Sequence, residues 1–233
     1  MLTVPAHIVR AGILDAPLTH AWNDADPMMA YAAWDDRISK ALSSTTHRGV
    51  LALSAGFAEW IAWRLSKATD VTPLLDKIEA VWAGIADWRH LAMPGWFELI
   101  GGLGPPSDWL GPARGPVWAA SDLLDQIVNL THRRQFARPE AACLSKLATL
   151  VLAAPRPFKV WRKAAIARMA AVYPHVPDDA LGPPVAREIL ELDRPYQREE
   201  AEELVARFLA GLDPGRNRFL ANATVVAGST SSS

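Results

Sequence analysis

The sequence predicts an all-α protein of about seven or eight helices, packed as antiparallel neighbours in a bundle-like array. Three observations predict it. Apolar residues recur at helical spacing in one segment after another, and no stretch alternates as a half-buried strand does. Proline, often preceded by a capping residue, stands at the start of several of these segments. One run, Gly49 to Trp63, carries no charged residue except Glu59, and a helix apolar on every side needs other helices around it.

The elements follow in order. Residues 1–25 are broken by Pro5, Gly12 and Pro17 and are expected to drape over the helices through Ile8, Ile13 and Trp22. Asp26-Pro27 reads as a helix start, with Met28, Tyr31, Trp34, Ile38 and Leu42 on one face. A second helix over about 46–67 is the central one, its Gly49, Ala52, Ala55 and Gly56 letting neighbours come close. Thr72-Pro73 opens a third, with Leu74, Ile78, Val81, Ile85 and Trp88 as its stripe and Asp87 and His90 at its end. Gly115-Pro116 opens a fourth, reaching about Arg134. A fifth is expected over about 139–153 and a sixth over about 158–173, with Lys159, Arg162, Lys163 and Arg168 outward. A short helix over 185–192 and a last one over 198–212 complete the array.

One stretch breaks the pattern. Met93–Gly115 holds six Gly and four Pro around Trp96, Phe97 and Trp109. Loops beyond about 12–15 residues are uncommon and are usually functional or linkers. A flexible linker is polar and Gly/Ser-rich, whereas these rings need a surface to pack on. The stretch therefore reads as an ordered loop joining two helical halves of a single domain over 1–220. Residues 221–233, small and Ser/Thr-rich, are expected to be a disordered tail.

Charge is segregated along the chain. It nets −5 over 1–125, +8 over 126–177, −6 over 178–203 and +2 beyond. Two readings follow: the basic and acidic blocks attract one another inside the fold, or the basic block faces an acidic partner. Cys143 stands alone among apolar neighbours, so no disulfide framework forms within the chain and the thiol is expected to be a small buried hydrophobe. The N-terminus lacks the pattern of a signal peptide, and no apolar run approaches the roughly 18 residues of a membrane span. The expectation is a cytoplasmic protein with no membrane contact.

Chemistry has few candidates. Asp87 and His90, the loop with Asp108 and Arg114, and the line Asp122, Asp125, Asn129 and His132 would converge if the helices flanking the loop pack side by side. Carboxylates with histidine suit acid–base work or a divalent metal. The chain lacks paired Glu-x-x-His motifs, phosphate loops, nucleophile elbows and His-Glu-x-x-His, so no metal and no cofactor are expected. Glu59 is a further candidate, read chiefly as a structural ion pair or hydrogen bond to an Arg or a Trp N–H. His7, His20, His47 and His175 are expected to be ordinary surface residues. The candidates for partner contact are Trp96, Phe97, Trp109, Arg114, Arg133, Arg134, Lys159, Arg162 and Lys163. A near-neutral pI and the lack of a helix-turn-helix argue against nucleic acid. The leading expectation is a non-enzymatic helical protein, inhibitor-like, immunity-like or an adaptor, that binds another protein. The alternative is a helical enzyme or small-ligand binder with a pocket under loop 93–115. Nothing in the sequence fixes an oligomeric state.

Overall fold

The segment without a polar face becomes the axis of the molecule. The computed structural model describes residues 2–32, 35–96 and 107–222. Among them lie eight α-helices joined by turns and short 3₁₀ segments, and no strand. They are α1 (Ala6–Arg10), α2 (Asp36–Leu42), α3 (His47–Leu65), α4 (Thr72–Ala86), α5 (Gly111–His132), α6 (Arg138–Val151), α7 (Arg156–Val172) and α8 (Ala201–Ala210). Helix α3 is surrounded by α4, α5, α6 and α7. The Thr46 Oγ1 caps it, accepting from the Gly49 N–H at 3.1 Å. At Gly56 a Cβ would stand 2.7 Å from Leu190 and 2.9 Å from Trp161, so only glycine admits those side chains to the helix backbone.

An aromatic cluster fills the α3–α7 seam. Trp60 meets Phe158 at 5.4 Å and Trp161 at 5.7 Å, and Phe57 lies edge-on to both Phe158 and Trp161. Such contacts each contribute about 0.5–1.5 kcal/mol beyond area burial. Among the described residues the buried apolar side chains form one contiguous cluster rather than two separate cores.

Several boundaries differ from expectation, each for a local reason. The helix expected from Asp26-Pro27 is only a 3₁₀ turn over Pro27–Ala30, and α2 starts afresh where the Asp35 carboxylate accepts from the Arg37 N–H. Trp34 lies outside the described residues. Residues 6–10, expected to be irregular, form the short helix α1. Helix α4 stops at Ala86, because Asp87 turns extended and caps a separate 3₁₀ turn, Trp88–His90. The short helix expected over 185–192 is a 3₁₀ turn, Arg187–Leu190.

Helix α5 begins at Gly111, four residues before the predicted Gly115 start, and Pro116 sits inside it. Proline has no N–H to give the carbonyl four residues back. That carbonyl, Pro112 O, instead takes a hydrogen bond from the His20 ring at 2.7 Å. Trp22 then lies so close to Gly115 that a Cβ there would be 2.1 Å from the indole nitrogen.

The C-terminal segment ties the structure together. Asn217 is fully buried, donating to the Asp76 carbonyl at 2.8 Å and the Glu79 carboxylate at 3.0 Å. The Ala92 N–H donates to Phe219 O at 2.9 Å, and the Ala221 N–H to His90 O at 2.8 Å. Residues 213–222 thus strap α4 to the start of the long loop. Of the tail expected to be disordered, 223–233 lies outside the described residues. Among the described residues no helix is long and apolar enough to cross a membrane.

Candidate functional site

The polar line expected to converge beneath the loop is divided among different partners. Asp125 is wholly buried on α5, and its carboxylate is gripped by the Lys77 ammonium at 2.7 and 2.6 Å. Lys77 comes from the inner face of α4, two per cent exposed, with Phe219 and Trp96 5.3 and 5.9 Å from its Nζ. Burial pushes the Asp125 carboxyl up to about 6, against the pull of Lys77, and it lowers the lysine as well. Two short contacts to one ammonium describe a structural ion pair in an aromatic cage, closed to substrate.

Asp122, one turn earlier on α5, instead accepts from the Gln126 amide at 2.8 Å and lines a separate hollow. Asp87 caps the 88–90 turn and holds the Arg89 guanidinium at 2.9 Å, a pairing that lowers its pKa. His90 contributes its carbonyl to the C-terminal strap. His132 meets the edge of Trp88 at 5.4 Å. Among the described residues no group of three or more His, Cys, Asp or Glu is placed to hold a metal ion.

Glu59 has the structural role. Arg187 donates to its two oxygens, both at 3.0 Å, and the Trp82 N–H adds a third contact at 3.3 Å. The pair borders a cleft of about 440 Å³ between α1, α3 and residues 187–194. Two further ion pairs line it, Arg10–Asp193 and Arg194–Glu191, so its charges cancel internally. His7 stacks on Trp161 at 4.8 Å, and its ring nitrogens have no hydrogen-bond partner among the described residues. His47 is buried against Phe136, and His20 serves Pro112. These three histidines are therefore corrected from surface to interior or half-buried positions; aromatic neighbours and an orphan carbonyl drew them in.

The expected contact residues also divide. Trp96 is corrected from contact surface to core: it has no exposed area, and its N–H donates to Phe219 O at 3.4 Å. Phe97 and the Asp108 side chain lie outside the described residues. Trp109 is half-buried and forms with Arg114, Pro73 and Asp70 a shallow pocket of about 220 Å³. Arg162 turns inward, donating to the Ser145 hydroxyl at 2.8 Å, and Arg168 donates to the carbonyls of Glu191 and Leu192, both at 3.0 Å. These two arginines are corrected from outward charges to staples of the fold. Arg133 and Arg134 are exposed just past the C-terminus of α5, where basic charge complements the helix dipole.

Lys159 and Lys163 remain, and the structure sets them beside Arg156 and Val160. Helix α7 buries Phe158, Trp161, Ala165 and Met169. Arg156, Lys159, Val160 and Lys163 follow the i, i+3, i+4, i+7 spacing on its other face. With Ala154 and Pro155 they wall an open groove of about 470 Å³. Val160 is 64% exposed at its centre. Among the described residues no carboxylate reaches Arg156, Lys159 or Lys163. The acidic block finds Arg10, Arg194 and Arg207 instead. Among the described residues the acidic block does not neutralise Arg156, Lys159 or Lys163 by ion pairs.

Sequence reasoning missed Lys77, Arg156 and Val160. Lys77 had a signal: it falls between Leu74, Ile78 and Val81 on the apolar stripe of α4. Val160 had one too, an apolar residue on the face assigned to lysines. No family model, curated protein or solved structure matches the chain.

Proposed function

We propose that this is a non-enzymatic, cytosolic binding protein whose α7 outer face docks an acidic protein surface, as an inhibitor, immunity-like protein or adaptor does. The observation that carries the reading is the placement of Arg156, Lys159 and Lys163 in the first two turns of α7 around an exposed valine. The positive end of a helix dipole disfavours cations by about 0.3–1 kcal/mol each. The first turn of α7 holds no acid to offset them. An acidic partner with an apolar side chain for the groove would supply both missing complements. Charge of this kind sets encounter rate and specificity.

The test is charge reversal, Lys159→Glu with Lys163→Glu, beside a control reversal of Arg133 and Arg134. Wild-type and variant proteins are used to capture partners from the native host, and each captured protein is purified and titrated directly. The expected result is an acidic protein whose affinity falls about tenfold or more in the α7 variant. It should cross-link to α7, weaken with salt and be unaffected by the control reversal. Recovery of nucleic acid in its place, or of no protein sensitive to the α7 reversal, would overturn the proposal.

A further inference from the structure

A second hollow lies where residues 28–32 cross α5 and α6, and it is incomplete in a different way. Its volume is about 180 Å³. Tyr31, Leu123 and Cys143 form buried walls, Trp118 is half-buried beside them, and Met28 stands 59% exposed at the rim. Two carboxylates, Asp122 and Glu140, line it, and none of its described lining residues is a cation. The Gln126 amide is the hydrogen-bond donor to Asp122, and burial pushes that carboxyl up against the pull of Gln126 and of the Lys77 charge, which acts from outside the wall. Glu140 Oε2 is buried without a hydrogen-bond partner among the described residues. Burial, then the nearby Asp122 charge, pushes the Tyr31 hydroxyl up to about 12. A buried carboxylate oxygen without a hydrogen-bond partner is costly to hold.

We propose that this hollow binds a small organic cation, an amine with an apolar body, whose ammonium meets Asp122 and Glu140 while the body packs on Trp118 and Tyr31. The wall chemistry separates this ligand from the others. An anion would be repelled, and a neutral apolar ligand would leave both carboxylates unmatched. A hard metal ion needs several oxygen ligands, and apart from the Gln126 amide, already bonded to Asp122, and the Tyr31 hydroxyl, the rest of this wall is aromatic, thioether, thiol and aliphatic. Aromatic faces beside an ammonium contribute about 0.5–2 kcal/mol. Pockets for drug-sized ligands run to about 300–1,000 Å³, so this one suits a single ring with a short amine arm. The site shares no residue with the α7 groove, and the two proposals stand or fall separately.

The probe is phenethylamine, compared with 2-phenylethanol, which has the same body and no charge. Calorimetry and tryptophan fluorescence read binding to the full chain. The amine is expected to bind saturably and about tenfold or more tighter than the alcohol. Asp122→Asn and Glu140→Gln should each weaken the amine by about tenfold and leave the alcohol unchanged. Trp118→Ala should weaken both. Asp122→Asn keeps an acceptor for Gln126 and removes a desolvated charge, so it folds, as circular dichroism will check. Equal affinity for amine and alcohol, amine affinity indifferent to both carboxylate substitutions, or no saturable binding up to roughly 10 mM would each overturn the assignment.

Discussion

Lys77→Met is the perturbation with the largest consequence. It removes the ammonium that grips Asp125, a carboxylate with no exposed area. Breaking a buried pair from one side costs about 3–5 kcal/mol, because an uncompensated charge stays behind. Total stabilities are of order 5–15 kcal/mol, so the loss is a large share. With a urea dependence of about 1–3 kcal/mol per molar, the midpoint drops by roughly 1–5 M.

The pH dependence identifies the cause. Asp125 is already raised to about 6 by burial, and loss of Lys77 raises it further. An acid whose folded pKa lies above its unfolded value is favoured in the folded state at low pH, and that advantage is lost as pH rises through the folded pKa. The penalty of Lys77→Met should therefore be small near pH 5 and large near pH 8. Unfolding is followed by far-ultraviolet circular dichroism at both. The double variant Lys77→Met/Asp125→Leu should regain most of the loss, since Leu has the branching of Asp and an apolar pair can replace a buried ion pair. A cost below about 1 kcal/mol near pH 8, or a double variant no more stable than the single, would refute the reasoning.

Gly115→Ala should evict Trp22, because the new Cβ would lie 2.1 Å from its indole nitrogen. A loss of about 1–3 kcal/mol in thermal melts is expected, and an unchanged midpoint would contradict it. His7 is held down to about 4 by burial first, then by the Arg10 and Arg187 charges, with Asp193 opposing. Its folded pKa lies below the unfolded value of about 6.5, so stability present above that pH is lost as pH falls toward 4. His7→Phe keeps the stack on Trp161 without titrating. Relative to that variant the wild type should lose on the order of 1–2 kcal/mol between about pH 6.5 and 4, after allowance for screening. A flat difference would count against the buried, neutral imidazole.

The helical architecture was legible because its signals are periodic and local. The Gly49–Trp63 run could only be an inner helix, and α3 is one. Glu59 was legible as a structural partner of Arg and Trp because a carboxylate in such a helix has few other options. The α5 start was not legible. Pro116 looked like a first-turn proline, and the residue that excuses it inside the helix, His20, lies 92 positions away from Pro112. Trp96 misled for a related reason. Its loop reads as surface, but the strap that covers it comes from residues 213–222, at the other end of the chain. Sequence periodicity reports which face of an element is apolar; it does not report which distant segment arrives to cover it.

That distinction also ranks the candidate sites. Local rules are broken in many places here, and most breaks carry their compensation nearby. Lys77 on an apolar stripe has Asp125; Glu59 in an apolar helix has Arg187; the orphan carbonyl of Pro112 has His20. Functional sites are the expected location of breaks whose compensation is missing from the folded chain. Two such places among the described residues also open to a ligand. The α7 face sets cations at the wrong end of a helix with an exposed valine between them, and the Tyr31–Trp118 hollow holds two carboxylates with no cation among its described lining residues. Their missing complements have opposite charge, an acid for the first and an amine for the second. A single ligand class cannot satisfy both, so each surface has to be tested with its own probe.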